Sequence, residues 1–299
     1  MQKSIRNLLA YCFAVLLFTF GFVRRARKRI FRDKLILSIF FHDPSRHLFL
    51  SCVKWLQRNG FYFISLEELQ QFALGEISLP EGAVILTVDD GWRNNLDNIV
   101  DVADDLHIPV TIFVSTDPIE HGGGYWWSYV SKAKKLGISQ WAVEPLKKQN
   151  NDYRIKMLST IRSCIFLERE AMTKEELISI SASKYITIGS HSVTHPILPR
   201  CSEEVAFYEI TESKKKLEQW LRKRVTSFSY PNGDYSEREL DLIKQSNFDF
   251  AFTGSPGYLT KETLSHMYEI PRFEMLESAS FIENICRMTG VWFVNKHPN

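Results

Sequence analysis

Short apolar runs, each closed by polar or turn-forming residues, recur along this chain and alternate with stretches of helical periodicity. Leu35-Ile36-Leu37-Ser38-Ile39-Phe40-Phe41 predicts a buried strand ending at His42-Asp43-Pro44. Leu48 to Arg58 repeats at helical spacing and stops at Asn59-Gly60, a C-cap pair. Ser65-Leu66-Glu67-Glu68 has the form of a capping box and opens a second helix. A strand over Val84–Val88, a helix from Asn94 to Leu106 and a strand over Val110–Val114 follow. Gly122-Gly123-Gly124 before Tyr125-Trp126-Trp127 reads as an aromatic-bearing loop, and residues 128 to 182 as a mostly helical, polar insertion or crossover. Then come a strand over Tyr185–Ile188 and a long helix from the Ser202 N-cap to Lys223. Beyond it lie strands Val225–Tyr230, Phe248–Phe252 and Tyr268–Phe273, with helices Ser236–Ser246 and Ala279–Met288. Strands alternating with helices predict an α/β fold with a parallel sheet and right-handed crossovers. Functional residues in such sheets collect at the C-terminal ends of the strands.

The first 33 residues break this pattern. Leu8 to Val23 carries no charge and is followed by Arg24, Arg25, Arg27, Lys28, Arg29 and Arg32. Sixteen helical residues reach about 24 Å, short of a hydrocarbon core of roughly 30 Å, so the span is marginal. A secretory signal is the rival reading, with Thr19-Phe20-Gly21 as a poor cleavage site. The cations after the apolar run disfavour export of that end. They predict an uncleaved N-terminal hydrophobic helix over residues 1–33 that attaches a domain of residues 34–299 to the membrane, with the domain on the cytoplasmic side. An external face remains the alternative.

Composition narrows the class. Of 299 residues, 44% are hydrophobic and 24% charged, the balance of a globular chain able to bury a large core. A net charge of +2, with no basic stripe interleaved with aromatics, argues against a nucleic-acid partner. Five scattered cysteines without a CxxC do not form a disulfide framework. Nothing in the sequence sets the oligomeric state.

Candidate chemistry sits at the strand ends. Val84-Ile85-Leu86-Thr87-Val88 runs into Asp89-Asp90-Gly91, and a buried strand should not end in two carboxylates unless something at its mouth uses them. Residues 186–195 lead in the same way to His191 and His195, which converge if that segment forms a helical turn. Adjacent residues leaving a strand point oppositely, so Asp89 and Asp90 need not share a role. Two imidazoles and a carboxylate suit Zn2+ or a similar divalent ion and leave positions open for water and substrate. The second carboxylate is then placed to act as general base. Each piece has a plainer reading alone: Asp-Asp-Gly is often a solvated turn, and His-x-x-x-His is often a surface pair.

Together these residues resemble the NodB-homology polysaccharide deacetylases, carbohydrate esterase family four, over residues 35 to 275. The resemblance rests on Thr87-Val88-Asp89-Asp90-Gly91, His191-Ser192-Val193-Thr194-His195 and Ser229-Tyr230-Pro231-Asn232-Gly233. Phe41-His42, Phe228-Ser229-Tyr230-Pro231 and Ile270-Pro271-Arg272 match one subgroup. It implies a distorted (β/α) barrel with fewer than eight regular strands, Asp89 as base, and Asp90, His191 and His195 as ligands of a divalent metal. It also implies that the Asn232 backbone N–H stabilises an oxyanion. The arginine that often holds the base is absent from the third motif, where Ser229 stands, and Arg272 is the candidate substitute. The Leu-x-x-His motif that supplies an acid is one residue short at Leu264-Ser265-His266, which leaves His42 and His266 as candidates. The implied substrate is an acylated glycan or glycolipid, a cell-envelope polysaccharide or a lipid-linked glycan precursor, that loses an N-acyl group, acetyl first, from an amino sugar. An O-acetyl esterase, an amidohydrolase of non-sugar amides and a non-catalytic, membrane-tethered glycan-binding module are the alternatives.

Overall fold

The computed structural model describes residues 2–293. Two helices, α1 (Gln2–Thr19) and α2 (Phe22–Arg32), precede the sheet. The strands are β1 (Leu37–Phe41), β2 (Tyr62–Phe63), β3 (Ala83–Val88), β4 (Val110–Val114), β5 (Ile186–Ser190), β6 (Ser227–Ser229), β7 (Phe250–Phe252) and β8 (Phe273–Glu274). Helices α3 (Arg46–Arg58) and α4 (Leu66–Ala73) link the first three strands, and α5 (Asp101–Leu106) lies between β3 and β4. The insertion between β4 and β5 holds α6 (Thr116–His121), α7 (Trp126–Lys135), α8 (Val143–Lys147), α9 (Asn151–Cys164) and α10 (Lys174–Ile180). Helices α11 (Glu203–Leu221), α12 (Glu237–Gln245) and α13 (Phe281–Met288) complete the layer.

All pairings between the strands are parallel, in the order β7-β6-β5-β4-β3-β1-β8, with β2 against the start of β3. Six strands have three or more residues, while β2 and β8 have two. Pleating splits β3 between two environments. Val84, Leu86 and Val88 pack under the helices, whereas Ile85 joins Phe113, Phe250, Phe252 and Ile270 on the inner face. The same alternation places Thr87 and then Asp89 on the inner face at the strand's C-terminal end. The extended segment from Ile270 to Glu274 bonds β7 at Ile270 and β1 at Phe273, so the two edges of the curved sheet meet across it. Arg272 lies in the middle of that closure. The result is the distorted α/β barrel expected from the motifs.

Local chemistry explains most boundaries. Ser65 and Glu68 form the expected capping box, Thr173 with Glu176 and Ser236 with Glu239 form two more, and the Ser202 hydroxyl accepts from Val205 N. Three expectations need correction. The N-terminal apolar run is not one helix. It breaks at Gly21, whose φ of 77° is left-handed, and the two halves bend by 61°. Among the described residues no single helix is long and apolar enough to cross a membrane. The helix expected from Asn94 begins as a π-helical turn over Leu96–Val100 before α5. Finally, Tyr268–Phe273 is not a continuous strand, because Ile270 and Phe273 bond opposite edges of the sheet. All five cysteines are free thiols, and Cys52, Cys201 and Cys286 are buried.

Candidate metal and catalytic site

Asp89 and Asp90 leave the C-terminal end of β3, both almost fully buried, and point to different partners. Asp90 adopts φ 76°, a conformation costly for most residues but accessible to aspartate. Its Oδ2 accepts from Trp92 Nε1 at 2.9 Å, and its backbone carbonyl accepts from the Tyr125 hydroxyl at 2.8 Å. Its Oδ1 is buried with no hydrogen-bond partner and lies 3.5 Å from His191 Nε2 and 3.4 Å from His195 Nε2.

The histidines do not converge on a helical turn. Ser192 (φ 66°) and His195 (φ 55°) both take left-handed conformations, and the resulting bends turn the two rings inward. Glu209 on α11 holds this loop from behind, accepting from Val193 N, Thr194 N and the Thr194 hydroxyl at 2.6–2.9 Å. His191 Nδ1 donates to the Ser229 carbonyl at 2.7 Å, so that in the neutral ring the Nε2 lone pair faces Asp90. Trp126 Nε1 donates to the His195 carbonyl at 3.0 Å, and the Trp127 ring meets the His195 ring edge-on at 4.6 Å. Burial drives His195 down to about 4, so its imidazole is neutral at pH 7. Burial also pushes the Asp90 carboxyl up, but the closeness of the two imidazoles outweighs it and holds the group well below the usual carboxylate range.

Those observations fit a divalent cation. Asp90, His191 and His195 each present one ligand atom, and the three atoms lie within 4.8 Å of one another. One of them is an orphaned, ionised oxygen that needs a positive partner. A carboxylate and two imidazoles make the donor set of an open catalytic site.

Asp89 faces away from this cluster into a second network. Arg272 Nη1 and Nη2 donate to its Oδ1 and Oδ2, both at 2.8 Å, in a bidentate pair. The remaining guanidinium N–H groups reach Thr87 Oγ1 at 3.0 Å, Ser229 Oγ at 2.9 Å and the Thr253 carbonyl at 3.0 Å. Ser229 Oγ also donates to Asp89 Oδ2 at 3.1 Å, and Phe40 lies 4.1 Å beneath the guanidinium. Every N–H of this buried cation is therefore satisfied. Burial raises the Asp89 carboxyl, yet the charge of Arg272 and the hydrogen bonds from its guanidinium bring it below its ordinary value.

A cavity of about 280 Å³ opens onto Asp90 and His195, walled by His42, Trp92, Trp126, Trp127 and Asn232, with Asp43, Val143 and Lys147 at the same opening. His42 is 42% exposed and sits 3.8 Å from Glu274. Asn232 has φ 61°, and its amide side chain donates to Asp234 at 2.6 Å. Asp89 and His191 do not line the cavity. His266 is not brought to it. Its side chain is 70% exposed and faces Glu269 at 3.9 Å, because the residues before it end a short 3-10 turn away from the strand ends. Of the aromatic triplet, Tyr125 is core, and the two tryptophans both pack and wall the cavity. Trp92, Glu209 and Lys147 were not anticipated. Trp92 directly follows the first motif, a position that signals it, whereas Glu209 is one helix residue among many.

A buried Asp-His-His triad that could hold a metal ion thus sits at the strand ends of a parallel α/β barrel, beside a carboxylate clamped by arginine. The chain belongs to the polysaccharide deacetylase family, whose model matches residues 76–251. It is 21% identical over 220 residues to YxkH of Bacillus subtilis, a protein whose name assigns it to the polysaccharide deacetylases. That match takes in 74% of this chain and spans 61% of the length of YxkH. Among solved structures, the Streptococcus pyogenes deacetylase PplD in complex with acetate superposes with a TM-score of 0.62 at 16% identity, covering 85% of this chain and 98% of that one. IcaB from Ammonifex degensii gives 0.61 at 16% identity, covering 85% and 97%. These structural likenesses concern the fold.

Proposed function

We propose that the protein is a metal-dependent hydrolase that removes an N-acyl group, acetyl in the simplest case, from an amino sugar of a glycan or glycolipid. The observation that carries this reading is the orphaned Asp90 Oδ1 facing two imidazole Nε2 atoms beside the clamped Asp89. A divalent cation on Asp90, His191 and His195, for which zinc suits the donors, would supply Lewis acidity and a water of lowered pKa.

The chain's own residues do the rest. Asp89 remains ionised at neutral pH and receives a proton on a carboxylate oxygen. Its two Arg272 bonds fix the plane of that carboxylate and leave acceptor capacity on Oδ1. Ser229 serves both sides, orienting Asp89 through its hydroxyl and His191 through its carbonyl. The Asn232 backbone N–H, presented by the Pro231 turn, is the donor assigned to the developing oxyanion. His42, on the cavity wall, delivers a proton to the departing amine. Trp126 and Trp127 exclude water and offer an apolar surface to a sugar ring.

Residues 34–299 form the catalytic domain in this reading, and the N-terminal helices attach it to a membrane. The cations after the apolar run favour the cytoplasmic face, which makes a lipid-linked sugar the preferred substrate. The test is mass spectrometry of a panel of N- and O-acetylated glycans after incubation with metal-loaded protein. Loss of one acetyl from N-acetylated members, abolished by Asp89→Asn, is expected. Acetate from O-acetylated members alone, or glycan binding with no turnover, would replace this reading with an esterase or a binding module.

A further inference from the structure

Helix α1 is apolar on nearly every side. From Leu8 to Thr19 its only polar side-chain groups are the Tyr11 hydroxyl, the Cys12 thiol and the Thr19 hydroxyl, the last donating to the Val15 carbonyl at 2.9 Å. A helix of this kind belongs inside a protein core or in lipid. Yet the rest of the chain covers only a narrow stripe of it: Ala14 is fully buried, and Ala10, Val15 and Leu17 are partly so. That stripe packs on α13, with Asn7 Nδ2 donating to the Ser278 carbonyl at 3.4 Å and Phe13 edge-on to Trp292 at 5.6 Å. Leu8, Leu9, Leu16, Phe18 and Phe20 stay 46–67% exposed.

The bend at Gly21 then turns the chain into a cationic helix. Asp33 pairs with Arg29 and Arg32, whereas Arg24, Arg25 and Lys28 form no ion pair among the described residues. At the elbow, a cleft of about 460 Å³ joins the two characters, with Phe18, Val23 and Trp55 as apolar wall and Arg24 and Arg27 as basic lining. Arg27 is already positioned there by Asn59 Oδ1, to which its Nη1 donates at 2.6 Å.

We propose that the α1–α2 elbow lies in the plane of an anionic membrane surface rather than across it. The exposed apolar face of α1 enters the acyl boundary, Arg24, Arg25 and Lys28 sit among anionic headgroups, and the cleft seats one lipid phosphate against Arg24 and Arg27. A second copy of the chain would cover the apolar face but leave the cation row unneutralised, and charge complementarity therefore favours lipid. Because α1 is docked along α13, the N-terminus and the catalytic domain stay on one side of the bilayer. This inference stands apart from the reaction proposed for the barrel, and its test does not read catalysis.

The full-length protein is sedimented with vesicles of phosphatidylcholine alone and of phosphatidylcholine with phosphatidylglycerol. Partitioning onto the anionic vesicles is expected, weakening as salt rises. Neutralising Arg24 and Lys28 by Arg24→Gln with Lys28→Gln lowers it about 25-fold, about fivefold per cation. Leu9→Glu with Leu16→Glu lowers it about tenfold or more, with the fold kept as judged by circular dichroism. In sealed, inverted membrane vesicles from expressing cells, protease should remove an N-terminal tag and the catalytic domain together. A tag protected until detergent is added would show a spanning helix and overturn the proposal. So would partitioning that ignores anionic lipid, or a soluble dimer that Leu9→Glu with Leu16→Glu dissociates and that binds neither vesicle.

Discussion

Replacing Arg272 by methionine is the sharpest test of how the base is held. Arg272 is 1% exposed and makes five hydrogen bonds, two of them to an Asp89 carboxylate that is itself almost wholly buried. Methionine fills much of the same space beneath Phe40, so the substitution removes charge and donors more than volume. It strands an ionised carboxylate together with the Thr253 carbonyl. Breaking a buried pair from one side costs about 3–5 kcal/mol, a large share of the roughly 5–15 kcal/mol that stabilises a domain. Urea unfolding followed by tryptophan fluorescence at neutral pH should show that loss. Arg272→Lys should fall between, since an ammonium keeps the charge but not the fork. Combining Arg272→Met with Asp89→Asn should cost less than the two separate losses added, by about 1–3 kcal/mol. A loss below about 1 kcal/mol, with simple additivity in the double variant, would show that the pair does not hold Asp89.

Three further outcomes follow from neighbouring contacts. Glu209→Gln places an amide where one carboxylate oxygen accepts two backbone N–H groups, so zinc affinity by competition with a chromogenic chelator should fall about 10–100-fold with little change in fold. Gly233→Ala puts a Cβ 2.5 Å from Gly254 N at a φ of +74°, which should destabilise the chain by about 2 kcal/mol or more in the same urea assay and lower kcat by displacing Asn232. His42→Gln should lower kcat on N-acetylated glycans by about 10²–10⁴ if His42 serves as the acid, while His266→Gln should leave kcat near the wild-type value.

Much of the scaffold was legible because the barrel is written in local code. Buried strands such as Val84–Val88 are short apolar runs, and the Ser65, Ser202 and Ser236 caps announce their helices. The four residues of the central cluster could be named because each follows such a strand. What escaped depends on long-range contacts. Glu209 reaches the histidine loop across 15 and 16 positions, and no spacing rule connects them. The left-handed Ser192 and His195 replace the expected helical turn because that loop's backbone bonds go to Glu209 and to the start of α6. Apolar composition continues through Gly21 and so predicts one helix, while the break depends on a backbone angle. Ile270-Pro271-Arg272 is visible as a string, but its place at the seam of the sheet is not, since Ile270 and Phe273, three positions apart, bond opposite edges.

The central claim is that Asp90, His191 and His195 share one divalent ion within reach of Asp89. Anomalous diffraction at the zinc edge, from crystals of the full chain equilibrated with zinc, reads this directly. The account predicts one strong peak bonded to Asp90 Oδ1, His191 Nε2 and His195 Nε2, lost in crystals of His195→Ala. A peak at other side chains, or one that persists unchanged in His195→Ala, would contradict it.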